Sequence, residues 1–234
     1  MTDTSLSSTD ATKFIAIDGP AGSGKSSVSK AVARRLGLGY LDTGSAYRAL
    51  AWHVLDRGAD TADADAVLAA ASEFPVVLGL DPDDRTVRVG DLEVTDAIRD
   101  PRVSGAVSGV ARVPAVRAQV NELFRALVSD APYSAVVVEG RDITTVVAPD
   151  APVRILLTAA PEVRAARRAG ELAGENADAV AAALHKRDAS DSAVVDFLNA
   201  ADGVEVVDST DLDFSQTIDA VLSVIEQHRG AHSG

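Results

Sequence analysis

The chain contains no cysteine, which excludes disulfides and thiolate metal sites and fits a reducing compartment. Its four histidines, His53, His185, His228 and His232, are scattered with no ligand spacing, so surface or packing roles suit them better than catalysis. No apolar run approaches the roughly 20 residues of a membrane helix, and the polar residues 1–12 lack the apolar core of a signal peptide. The expected location is therefore the cytoplasm. Basic charge is also scarce: 22 Lys and Arg stand against 35 Asp and Glu, a net charge of −13. So acidic a surface suits extended nucleic acid poorly, although a local basic pocket can still hold one nucleotide. Neither an internal repeat nor a low-complexity linker is present, and residues 1–11 and 230–234 read as disordered tails.

What is there begins at residues 14–27, FIAIDGPAGSGKSS. Gly19, Gly24, Lys25 and Ser26 fit G-x-x-x-x-G-K-[ST], placed between an apolar strand-like run at 14–17 and a helix-like segment at 26–36. In such a loop the backbone of Gly19, Pro20, Ala21, Gly22, Ser23, Gly24, Lys25, Ser26 and Ser27 can cradle phosphates. Lys25 reaches the β- and γ-phosphates, and the Ser26 hydroxyl ligates Mg²⁺. The bland alternative, a glycine-rich turn, does not account for the strand before it and the helix after it.

Strand signals at 14–17, 40–42, 135–139, 153–158 and 204–208 alternate with helix signals at 26–36, 45–57, 62–71, 114–129, 161–169, 177–187 and 215–229. This predicts an α/β fold with a mainly parallel five-stranded sheet flanked by helices. Three short runs, 76–80, 86–89 and 92–94, are separated by turn residues and predict a small antiparallel insertion. Together with its flanks, about residues 59–110, it reads as a mobile subdomain of one domain spanning 12–229, with a short lid at about 161–187.

The guanine-reading N-K-x-D motif is absent, and Glu139 stands where many nucleotide hydrolases place an aspartate at a strand end. A small-molecule kinase fits better. A nucleotide phosphate loses its second proton near pH ~6, so the acceptor oxygen is already anionic and no general base is needed. Such an enzyme needs cations and alignment. Arg164, Arg167 and Arg168 have the i, i+3, i+4 spacing of one helix face and suit a cationic lid; the alternative is a solvated face paired with Glu162 or Glu171. Arg48, Arg141 and Asp142 follow strand ends, the rim where open α/β sheets bind ligands. Trp52, Tyr40 and Tyr47 read as packing residues.

The segments GPAGSGKSSVSK, LDTGSAYR, DLEVTDAIR, GRDITTVVAPDAPVRILL, PEVRAARR and RDASDS, taken in order, resemble the bacterial cytidylate kinases over about residues 12–228. The resemblance implies phosphoryl transfer from ATP to CMP and dCMP with Mg²⁺. Nothing in the sequence suggests a long hydrophobic interface, so a monomer is the default expectation. The resemblance also implies catalytic roles for Lys25, Arg141, Arg164 and Arg168. It assigns acceptor phosphate and sugar to Thr43, Arg48, Arg141, Arg187 and Asp191, and recognition of cytosine to Ser108, Arg117 and Asp142. Two positions depart from the family pattern: Val194 stands where an arginine is usual, and Thr144 where a glycine is usual. The first removes one acceptor-phosphate contact. The second strains the rim if that backbone needs a positive φ. A kinase for another small acceptor such as UMP, or a regulatory module that binds ATP without turnover, stays open on the residues alone.

Overall fold

A computed structural model describes residues 11–171 and 177–231. The elements, in chain order, are β1 (Phe14–Asp18), α1 (Lys25–Leu36), β2 (Gly39–Asp42), α2 (Thr43–Asp56), α3 (Ala64–Ser72), β3 (Val76–Leu78), β4 (Val87–Val89), β5 (Leu92–Glu93), α4 (Pro101–Ala111), α5 (Pro114–Ser129), β6 (Val136–Gly140), β7 (Val153–Thr158), α6 (Pro161–Glu171), α7 (Ala177–Ser192), β8 (Glu205–Asp208) and α8 (Phe214–Ala231). A short 3-10 turn spans Ala97–Arg99, and a π-type turn spans Ile143–Val147. Of the tails expected to be disordered, residue 11 is buried and α8 continues through Ala231; the remainder, like residues 172–176 of the expected lid, lies outside the described residues.

Five parallel strands form the main sheet in the order β2-β6-β1-β7-β8. β1 and β6 are buried along their whole length, which is why they read as continuous apolar runs rather than alternating ones. Their side chains still alternate between faces. Phe14, Ala16, Val136 and Val138 enter a cluster with Leu50, Val54 and Phe124, whereas Ile15, Ile17 and Val137 meet Val28 and Val32 of α1 and Val221 and Ile225 of α8.

The second sheet, β3-β4-β5, is antiparallel as expected. Its inward residues Leu78, Val87 and Val89 share the first cluster with Phe14 and Leu50. The chain leaving β3 also covers the edge of β2, where Tyr40 N–H donates to the Leu80 carbonyl at 2.8 Å.

Three elements escape the sequence reading: the Ala97–Arg99 turn, α4 and the turn at 143–147. α4 carries Gly105 and Gly109, which weaken its helical signal. Asp100 caps it by accepting from Arg102 N–H at 2.7 Å, and a Cβ at Gly109 would lie 2.5 Å from the Thr61 carbonyl oxygen. The turn at 143–147 has the β-branched sequence ITTVV and is held from outside, by Asp18.

Candidate active site

The carboxyl ends of β1, β2 and β6 lie side by side, in a register that pairs Asp18 with Gly140 and Asp42 with Glu139. The phosphate loop leaves β1 here. Gly19 has φ 156°, and a Cβ on it would sit 2.1 Å from the Leu157 carbonyl oxygen; Gly24 ends the loop at φ 86° and caps α1. The Lys25 ammonium donates to the Pro20 carbonyl at 3.4 Å and stands 3.8 Å from Glu139 Oε2. Burial, helped by the nearby Arg141, lowers the Lys25 pKa to about 7, with Glu139 acting in the opposite direction.

Glu139, noted in the sequence only as a departure from aspartate, is central. It is 2% exposed. Its Oε1 accepts from Ser26 Oγ at 2.5 Å and from Tyr40 Oη at 3.1 Å. Tyr40 therefore packs and also orients an acid. Ser27 is exposed beside Ser26 at the start of α1. Two other acids at these strand ends, Asp18 and Asp42, are engaged elsewhere. Asp42 caps α2, accepting from Ser45 N–H at 3.0 Å and Ser45 Oγ at 2.6 Å, and it pairs with Arg48 at 3.0 Å. Burial pushes the Asp42 pKa up, but Arg48 and the Ser45 hydrogen bonds outweigh it and hold it below the usual carboxylate range.

Asp18 accepts from the backbone N–H groups of Ile143 (2.9 Å) and Thr144 (2.8 Å) and from Thr144 Oγ1 (2.7 Å). Burial raises the Asp18 pKa to about 6, against these hydrogen bonds. Thr144 has no positive φ, so the departure from glycine brings no backbone strain; its hydroxyl adds a bond that glycine cannot make.

The rim holds most of the remaining sequence candidates. Thr43 Oγ1 donates to the Glu139 carbonyl at 2.7 Å. Arg48 donates to Asp42 and Ser45 through one terminal nitrogen, while its buried Nε has no partner among the described residues. Arg141 donates through Nε to Asp191 (3.0 Å) and through a terminal nitrogen to the Gly19 carbonyl (2.6 Å). Arg117 and Asp142 form an ion pair at 2.6 Å. Ser108 on α4 accepts from Ser190 Oγ on α7 at 2.9 Å, and Arg187 approaches Asp191 at 3.8 Å.

The three arginines of α6 do not share one environment. Arg164 is 7% exposed, pairs with Asp188 at 2.5 Å and donates to the Ala21 carbonyl at 2.9 Å, while Asp188 accepts from Ala21 N–H at 3.2 Å. Arg167 donates to the Ser23 carbonyl at 3.3 Å and to Ser209 Oγ at 2.9 Å. Arg168 is exposed. The helix is tied to the phosphate loop through Arg167 and through Arg164 with Asp188, and Asp188 lies 24 residues beyond Arg164, where local spacing gives no sign of it.

Comparison with known proteins fits this arrangement. The family model described as cytidylate kinase matches residues 15–227. This chain belongs to the cytidylate kinase family. It is 47% identical over 220 residues to the cytidylate kinase of Streptomyces avermitilis, covering 93% of this chain and 94% of that protein. It is 49% identical over 218 residues to that of Streptomyces coelicolor, covering 92% and 94% respectively. With that of Cutibacterium acnes it shares 49% identity over 215 residues, covering 90% and 95%. Among the described residues no helix is long and apolar enough to cross a membrane.

Proposed function

We propose that this protein transfers the γ-phosphoryl group of ATP to CMP and dCMP, giving CDP and dCDP. Beyond family membership, the reading is carried by the Arg117–Asp142 pair, which lies one residue from Arg141 at the carboxyl end of β6. Cytosine offers a donor amine next to a ring-nitrogen and a carbonyl acceptor. A carboxylate receives the amine, and a guanidinium and the Ser108 hydroxyl donate to the acceptors. Uracil presents a carbonyl where the amine would be, and that carbonyl would face the Asp142 carboxylate. This disfavours UMP.

Thr43, Arg48 and Arg141 bind the acceptor phosphate, and the unpartnered Arg48 Nε is a donor available for it. Arg187 and Asp191 serve the sugar and phosphate side. The loop from Gly19 to Ser27 binds ATP, and the negative charge of its phosphates keeps Lys25 protonated in the complex despite burial. Magnesium fits the donor set here. Ser26 Oγ and the Glu139 carboxylate, 2.5 Å apart, are hard oxygen donors and would hold the ion beside the phosphate loop. When bound, the ion neutralises charge on the transferring phosphates. The acceptor is a dianion above its second pKa of ~6, so the residues align and neutralise rather than remove a proton. Arg164 and Arg168 act from the lid, whose closure, with that of the 59–110 insertion, excludes water as a competing acceptor. The working unit is a cytoplasmic monomer.

The test is ADP release from ATP and Mg²⁺ with CMP, dCMP, UMP, AMP, GMP or no acceptor. Turnover confined to CMP and dCMP is expected. Equal turnover with UMP would refute the base reading, and ATP binding without acceptor-dependent turnover would refute the kinase.

A further inference from the structure

Phe197 is 1% exposed, yet it belongs to neither of the two hydrophobic clusters that line the main sheet. Instead the Arg141 guanidinium carbon lies 4.9 Å from its ring centroid, within the range where a cation is attracted to the negative face of an aromatic ring. Arg141 is thus held from three directions: the Phe197 ring, Asp191 Oδ2 at 3.0 Å and the Gly19 carbonyl at 2.6 Å.

The segment after α7 is folded so as to deliver that ring. The Asp191 carbonyl accepts from the N–H groups of Val194 (3.0 Å) and Val195 (3.1 Å), and Asp196 Oδ1 accepts from those of Leu198 and Asn199, both at 3.2 Å. The Val194 carbonyl accepts from Arg117 at 3.4 Å. A stretch with valine at 194 therefore addresses two of the rim arginines, Arg117 and Arg141, without contributing a guanidinium of its own.

We propose that Phe197 is a positioning residue for the acceptor phosphate, its ring face fixing Arg141 in the orientation that receives CMP. The role rests on the functional reading given above. A buried aromatic that only filled space would be replaceable by any apolar side chain of similar size. A ring acting through its π face would not be.

The experiment replaces Phe197, in the full chain, by phenylalanine carrying one, two or three ring fluorines, which drain the ring face while keeping its shape; Phe197→Leu and Phe197→Tyr complete the series. KM for CMP should rise stepwise with fluorine number, by about 3- to 30-fold across the series, with KM for ATP and the melting temperature unchanged. Phe197→Leu should raise KM for CMP to the level of the trifluoro form, with a separate fall in melting temperature from the packing a fully buried ring loses, and Phe197→Tyr, which keeps the ring face, should raise KM for CMP less than Phe197→Leu. A flat KM for CMP across the fluorinated forms would overturn the positioning role, as would a rise matched in KM for ATP and in loss of melting temperature. Absence of CMP-dependent turnover in the unsubstituted enzyme would overturn the functional reading and this role with it.

Discussion

Glu139→Gln is the most informative single substitution, because it keeps shape and hydrogen bonding while removing one charge. The amide oxygen can still accept from Ser26 Oγ and Tyr40 Oη, now at 2.5 and 3.1 Å, so the 2%-exposed position should stay packed. What disappears is the negative charge 3.8 Å from the Lys25 ammonium. At an effective dielectric of about 20, a pair at that separation interacts by about 4 kcal/mol before desolvation is charged against it. Hydrogen bonds to charged groups contribute a net of about 1.5–3 kcal/mol, which sets the more realistic loss. That corresponds to a fall in kcat/KM of about 10- to 150-fold. Without Glu139 the Lys25 pKa should drop further below about 7, since the carboxylate is one of the groups raising it. Half-saturation by Mg²⁺ should move to higher concentration. Steady-state ADP release with CMP, titrated with Mg²⁺ at fixed ATP, reads both effects. Wild-type turnover with an unshifted Mg²⁺ curve would refute a catalytic place for Glu139 and leave it as a brace for Ser26 and Tyr40.

Two further outcomes follow from other contacts. Thr144→Val removes the Oγ1 hydrogen bond that holds the Asp18 pKa down, so the acid limb of kcat/KM should shift upward from about pH 6 if ionised Asp18 is needed to hold the 143–147 turn, while Thr144→Ser leaves it in place; identical profiles for all three would remove Asp18 from the limb and leave it to the acceptor phosphate. Because the folded pKa of Asp18 is raised from 3.8 to about 6, the folded state binds the extra proton, and this group's contribution to stability grows as pH falls from about 6 to about 4 even as activity is lost. Calorimetry of Asp18→Asn should show that gain abolished. Asp188→Ala leaves Arg164 buried and unpaired and should cost about 3–5 kcal/mol in urea unfolding; recovery of stability but not of turnover in Arg164→Met/Asp188→Leu would fit a lid tied to the phosphate loop, whereas full turnover in that pair would remove Arg164 from catalysis.

The parallel strands were legible because strands buried on both faces must be apolar throughout, and the phosphate loop because its conformation demands glycine at set positions. Neither condition constrains an acid that meets its partner only through sheet register. Glu139 joins Ser26 across 113 residues because β6 lies between β1 and β2 with Glu139 level with Ile17 and Asp42, and no local pattern encodes that neighbour relation. The i, i+3, i+4 spacing of the α6 arginines is likewise true to the helix but silent about what approaches it. Asp188 and the Ala21 backbone draw Arg164 inward, while Arg168 stays exposed. The two departures show the same limit from the other side. Thr144 looked like a risk of strain and makes a hydrogen bond instead. Val194 looked like a lost contact, and three residues later the chain places an aromatic ring on the arginine that remains. A substitution read one position at a time shows which group is gone. What the neighbouring side chains meet depends on where the chain goes next, and that is set by the turn at Asp191 and the Asp196 hydrogen bonds rather than by the identity of residue 194.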